Sequence, residues 1–223
     1  FYSYIASISY RVYLKFMTVT INYRNITSKK TSTNLVLFID EKFNISSLKK
    51  HISSSDYSLI SDLIKTKDIK KKIVDFDISS KKKIILVSLK NNIKNSQAEK
   101  LGAIFFDKFK DNKLNNYSLN SDTIRDQKNN IIGYFVHGIK LKSYAFDKYK
   151  TKKDNKNISI NVIGKKKPSI KEQIKFKAVE DGTFYTRDLV SEPGNVLHPD
   201  EYAKRLSLLK KDGLKINIYD EKK

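Results

Sequence analysis

The residues able to do chemistry are few and dispersed. His51, His137 and His198 are the whole imidazole supply, and there is no cysteine. No two histidines stand four apart and no HExxH run occurs, so an imidazole metal site is not expected, and each histidine reads as a surface or loop residue. Asp75 and Asp77 share one face of an alternating segment, with lysines at 70–72 and 81–83 on either side, a setting for solvated ion pairs. Gly133 and Gly138 have phosphate-loop spacing, but Ile139 stands where the lysine belongs and no Ser or Thr follows Lys140. There is no dinucleotide-binding glycine fingerprint, and no serine sits in a strand-turn-helix elbow that would expose a nucleophile. Arg187 and Asp188 can pair with each other or across a domain junction, a structural role.

The elements that must position these residues follow from periodicity. Val19, Ile21 and Tyr23 alternate, and Leu35–Ile39 is a continuous apolar run of strand length. Ile73–Ile78, Ile84–Leu89, Tyr117–Leu119 and Ile158–Val162 read as further strands. Helical spacing marks Asp56–Lys65, Gln97–Phe109 and a long stretch from Ile124 to Tyr149 with Ile131, Phe135, Ile139 and Phe146 inward. Pro168 opens another long helix, with Ile170, Ile174, Ala178, Tyr185 and Leu189 in step. Gly182 inside it is expected to bend or break it, and Pro193-Gly194-Asn195 ends it. Pro199 restarts a helix whose stripe is Tyr202, Leu206 and Leu209; Gly213 closes it, and Leu214, Ile216 and Ile218 alternate as a strand. Strands interleaved with helices predict an α/β fold: an N-terminal mixed-sheet domain, a long connecting helix, and the first helix and strand of a truncated second α/β domain. The expected division is 1–16 an upstream extension before Met17, 17–151 the first domain, 152–198 a linker strand and connecting helix, and 199–223 the start of the second.

Forty-five Lys and Arg against 24 Asp and Glu give 223 residues a formal charge of +21. The lysine pairs and triplets fall at element edges and read as solvated surface; the alternative is a basic face that attracts nucleic acid or another polyanion by charge alone. No apolar run approaches the roughly 18 residues of a membrane span, so no membrane partner is expected. The absence of cysteine fits a reducing compartment.

Two segments carry a family likeness. Arg187-Asp188-Leu189-Val190, then Pro193, Asn195 and Pro199, resembles the domain-joining segment of the leucyl aminopeptidase family, the cytosolic dinuclear-metal aminopeptidases. Upstream, Gly138, Leu141 and the run Ser143-Tyr144-Ala145-Phe146-Asp147-Lys148-Tyr149-Lys150-Thr151 are similar to the signature closing that family's N-terminal domain. The likeness extends over roughly Met17 to Lys223, with Ser191 where the family usually has Asn and His198 where a Thr usually precedes the proline. It implies a cytoplasmic enzyme that removes N-terminal residues from peptides, assembles as a homo-hexamer and uses two divalent ions, Mn or Zn. It also implies that Tyr144, Phe146, Asp147, Tyr149, Arg187, Asp188, Leu189, Pro193, Asn195 and Pro199 are structural. The family's metal ligands and catalytic lysine and arginine lie in its C-terminal domain, so this chain is expected to hold no catalytic residue, bind no metal and be inactive alone.

Overall fold

The computed structural model describes residues 19–24, 34–68, 71–125, 130–151 and 157–219. The expected extension at 1–16, Met17 and the core of the expected linker at 152–156 lie outside these. The described chain runs β1 (Val19–Arg24), β2 (Asn34–Asp40), α1 (Ser54–Leu63), β3 (Ile73–Ser79), β4 (Lys82–Leu89), α2 (Asn95–Phe109), β5 (Asn116–Asn120), α3 (Ile131–Lys142), β6 (Ile158–Ile163), α4 (Ile170–Ser191) and α5 (Pro199–Ser207). It forms two compact units. One holds residues up to Tyr144 together with the chain through Glu180; the other holds the segment from Ala145 and everything from Asp181 onward.

The first unit is a mixed α/β sandwich around one six-stranded sheet in the order β1-β6-β5-β2-β4-β3. All neighbours are parallel except β3, which runs antiparallel to β4 at the edge. The central strands are apolar runs because both faces are covered. On β2, Val36 and Phe38 join α2 and α3 in one core, whereas Leu35, Leu37 and Ile39 join Phe43, Leu48, Ile52 and Ile60 in the other. Phe38, Phe105 and Phe135 meet edge-on in the first core, with centroids 5.3 and 5.7 Å apart.

Glycines set the distance between α2 and α3. A Cβ on Gly102 would stand 1.9 Å from the carbonyl oxygen of Phe135, and one on Gly138 would stand 1.9 Å from that of Glu99. The two backbones therefore touch, and Gly138, which the spacing with Gly133 had offered to a phosphate loop, is a helix-packing residue.

Several elements depart from expectation. The helix expected over Ile124–Tyr149 is confined to Ile131–Lys142, because Asn130 caps its start by accepting from Gly133 N at 3.1 Å and the chain after Ser143 turns away. The long helix starts at Ile170 rather than Pro168. Ser169 and Glu172 form a reciprocal capping box there, Ser169 N donating to Glu172 Oε2 at 2.8 Å and Glu172 N to Ser169 Oγ at 3.3 Å. Gly182 does not break it: the helix is continuous to Ser191, and a cost of about 1 kcal/mol is small against 22 helical residues. Its inward face also differs, for Ile170 and Ile174 are 76% and 64% exposed while Glu180 and Phe184 are buried. Leu214–Ile218 is not a strand, because no described strand pairs with it and its backbone has no ladder to join.

Candidate functional site

Residues 145–151 of the upstream motif and residues 187–199 belong to the same unit, and they meet at one carboxylate. Glu192 follows the last residue of α4, its N–H bonded to the carbonyl of Asp188 at 3.1 Å. Its side chain is only 2% exposed. Lys148 Nζ and the Tyr149 hydroxyl, both from the upstream motif, donate to Glu192 Oε1 and Oε2. Arg205 of α5 donates through Nη1 to Oε1 at 3.0 Å and through Nε to Glu201 Oε1 at 2.9 Å, so one guanidinium ties two acids. Burial pushes the Glu192 carboxyl up, but hydrogen bonds from Lys148, Tyr149 and Arg205 outweigh it and hold it below the usual carboxylate range. The Tyr149 hydroxyl is pushed up, first by its bond to that carboxylate.

Of the residues picked out by family likeness, all but Tyr144 lie in the same unit as this carboxylate. Phe146 packs on Tyr149 with centroids 5.8 Å apart, and Asp147 pairs with Lys150. Tyr144 is half-buried in the loop after α3. Leu189 is buried, and Arg187 and Asp188 are half-buried beside it on α4. The carbonyl of Pro193 accepts from Val196 N and Leu197 N at 2.9 Å each, closing a turn that leaves Asn195 exposed. Pro199 is the first residue of α5, and His198 before it contributes no side-chain cap. Tyr202, Leu206 and Leu209 of α5 and Tyr185, Leu189 and Val190 of α4 line a groove of about 270 Å³, so the helical stripe read from spacing does face an apolar surface.

Sequence reasoning missed the hub itself. Lys148 and Glu192 were letters inside the two motifs, and nothing local marks residues 44 apart as partners. For Arg205 the one signal is its i, i+4 spacing from Glu201.

The remaining candidates lie elsewhere. His137 is buried, contrary to the surface or loop position expected: α3 is apolar around its circumference, and His137 Nδ1 lies 3.0 Å from Glu180 Oε1, with Phe176 packed on its ring at 5.1 Å. Burial, then the charge of Glu180, pushes the nearby Tyr23 hydroxyl up to about 12. His51 lies 3.2 Å from the Asn120 amide, which donates to Nδ1; burial, then Lys50, lowers its pKa. His198 is exposed. Asp75 and Asp77 pair with Lys83 at 3.5 and 2.5 Å, and Asp75 also with Lys108 at 2.7 Å, the ion pairing their spacing suggested.

Among the described residues no three of His, Cys, Asp and Glu come together to hold a metal ion. The donors present do not fit a two-metal centre: Glu192 is saturated by cations, and Glu180 is matched to His137.

No family profile matches the chain. Curated relatives do. A probable cytosol aminopeptidase of Bradyrhizobium is 40% identical over 88 residues, which are 37% of this chain and 18% of that protein. Another, of Persephonella marina, is 31% identical over 133 residues, 56% of this chain and 27% of the relative. The chain is similar to the cytosol aminopeptidases. The family likeness read from the two motifs therefore holds, over a stretch that spans well under half of the relatives' length. A tomato leucine aminopeptidase variant has the same fold over 92% of this chain and 45% of its own, with a TM-score of 0.73 and 19% identity. The bottromycin maturation enzyme BotP, in complex with Mn, superimposes with a TM-score of 0.60 at 13% identity, covering 85% of this chain and 39% of that one. No described helix is long and apolar enough to cross a membrane.

Proposed function

We propose that this chain is the N-terminal portion of a cytoplasmic leucyl aminopeptidase, an enzyme that removes N-terminal residues from peptides, and that this portion serves domain packing and homo-hexamer assembly rather than catalysis. The observation that carries the reading is the meeting of the two family-like motifs at Glu192, in a chain whose curated relatives are cytosol aminopeptidases. Lys148 and Tyr149 fasten the segment after the sheet domain to the end of α4, and Arg205 fastens α5 to the same carboxylate. Such a joint fixes geometry and moves no proton to a substrate. Two divalent ions, Mn or Zn, belong to the whole enzyme in this reading, and their ligands are supplied by sequence this chain does not contain. No catalytic step is assigned to its residues.

Sequencing the transcript across Lys223 tests the proposal. An in-frame continuation with clustered acidic ligands and a lysine is the expected result. A stop codon directly after Lys223 in the mature transcript would overturn it.

A further inference from the structure

The positive charge is distributed unequally between the two ends of the sheet. At the amino ends of β4 and β5, Lys82, Lys83 and Lys110 are matched by acids, Lys82 to Asp56 at 2.6 Å, Lys83 to Asp77 at 2.5 Å and Lys110 to Asp107 at 3.7 Å, while Lys81 and Lys113 are exposed without an ion pair among the described residues. At the carboxyl ends of the parallel strands the excess of cations is larger. Lys90 follows β4, Lys42 follows β2, Lys50 lies beside the end of β5 through His51, Arg125 follows β5, and Lys165 and Lys166 follow β6. Asp40, Glu41 and Asp122 are the acids interspersed with these six cations. Asp40 is engaged by Arg125 at 3.3 Å, Glu41 by Lys90 at 3.7 Å, and Asp122 accepts from the backbone N–H of Lys165 at 2.7 Å. Lys42, Lys50 and Lys165 are exposed and form no ion pair among the described residues.

This edge is also where an open α/β sheet presents ligands. The chain leaving β2 passes through α1 to β3 and returns as β4 on one side, and the connection leaving β5 leads to β6 on the other, so the strand order reverses between β2 and β5. From β4 to β6 the row of strand ends is about 14 Å wide at about 4.8 Å per strand, a span that meets several successive phosphates of a nucleic-acid strand. Cations spread along a row fit a repeating charge better than a single phosphate, which needs donors converging on one point.

We propose that the carboxyl edge of the sheet is a contact surface for the phosphate backbone of nucleic acid, independent of base sequence, with Lys42, Lys50 and Lys165 as its principal cations. This goes beyond the aminopeptidase reading and stands or falls separately from it. The test compares the triple substitution Lys42→Gln, Lys50→Gln, Lys165→Gln with Lys81→Gln, Lys110→Gln, Lys113→Gln, which removes the same charge from exposed lysines at the opposite edge. Binding of a labelled oligothymidylate to the full chain is followed by anisotropy over about 50 to 200 mM salt, with circular dichroism confirming that each variant folds. The carboxyl-edge variant is expected to bind at least tenfold more weakly at the low-salt end, and its slope of log K against log salt is expected to fall by about 2, near 0.7 per lost phosphate contact. The opposite-edge variant is expected to keep the slope of the parent. Equal losses in both variants would overturn the proposal, as would no binding by the parent. Displacement of the oligonucleotide by equimolar inorganic pyrophosphate would also overturn it, because it would mark a single-phosphate site.

Discussion

A carboxylate that loses nearly all its water needs charged hydrogen bonds in exchange, and Glu192 has them from Lys148, Tyr149 and Arg205. Its folded-state pKa lies below the ordinary value of 4.5, so the stabilisation it gives is fully present above about pH 4.5 and is lost as the pH falls through the lower folded value. Glu192→Gln should therefore be less stable than the parent at neutral pH and should show a shallower loss of stability on acidification below pH 4.5, read from urea midpoints across pH. A parallel pH profile in the two proteins would show that the carboxylate is not ionised in the fold. His137 and Glu180 are a second matched pair, 3.0 Å apart and buried. Removing one partner orphans the other, so His137→Leu should cost about 1 to 3 kcal/mol, and His137→Leu with Glu180→Leu should cost less than the sum of the two single changes. Simple additivity in that cycle would mean the two side chains do not interact.

At the scale of elements the opposite expectations for two glycines are informative. Gly182 has no atom within 4 Å of a Cβ position and lies inside the continuous helix α4, so Gly182→Ala should stabilise the protein by up to about 1 kcal/mol. Gly138 also lies in a helix, yet its Cβ would overlap the Glu99 carbonyl, so Gly138→Ala should destabilise by about 1 to 3 kcal/mol despite the same gain in helix propensity. Thermal midpoints moving the same way in both variants would contradict this packing. These glycines also mark where legibility ended. The strands were readable because alternation and apolar runs are local: each of β1 to β6 lies where its residues put it, within a residue or two. The face α4 buries was not, because Ile170 and Ile174 keep perfect helical spacing and still remain exposed, while Glu180, a charged residue, goes inside where His137 waits for it. Pairing of that kind is decided by tertiary contacts, as is the Glu192 hub, which joins residues far apart in the chain. Of the candidate site, the sequence carried the two motifs and not their meeting point. The strand expected at Leu214–Ile218 failed for a related reason: an alternating segment becomes a strand only when a neighbouring backbone accepts its hydrogen bonds.

For the molecule as a whole, burial separates two regimes. Leu86 is fully buried in the centre of the sheet, while α5 contains no buried residue and Leu214, Ile218 and Tyr219 remain 53%, 45% and 77% exposed. Apolar side chains left half-covered contribute little against about 1 to 2 kcal/mol per residue of backbone ordering. Amides at Leu206 and Ile216 are thus expected to exchange orders of magnitude faster than that of Leu86, and equal protection would contradict a weakly ordered C-terminal segment. The reading as an N-terminal portion also bears on activity. Hydrolysis by paired divalent ions depends on several ligands fixed in one geometry, and no described cluster of donors offers that. The most direct measurement is hydrolysis of leucine amide by the purified chain, with and without added Mn. The account predicts no turnover above the buffer rate in either condition; metal-dependent turnover that follows this polypeptide through successive columns would contradict it.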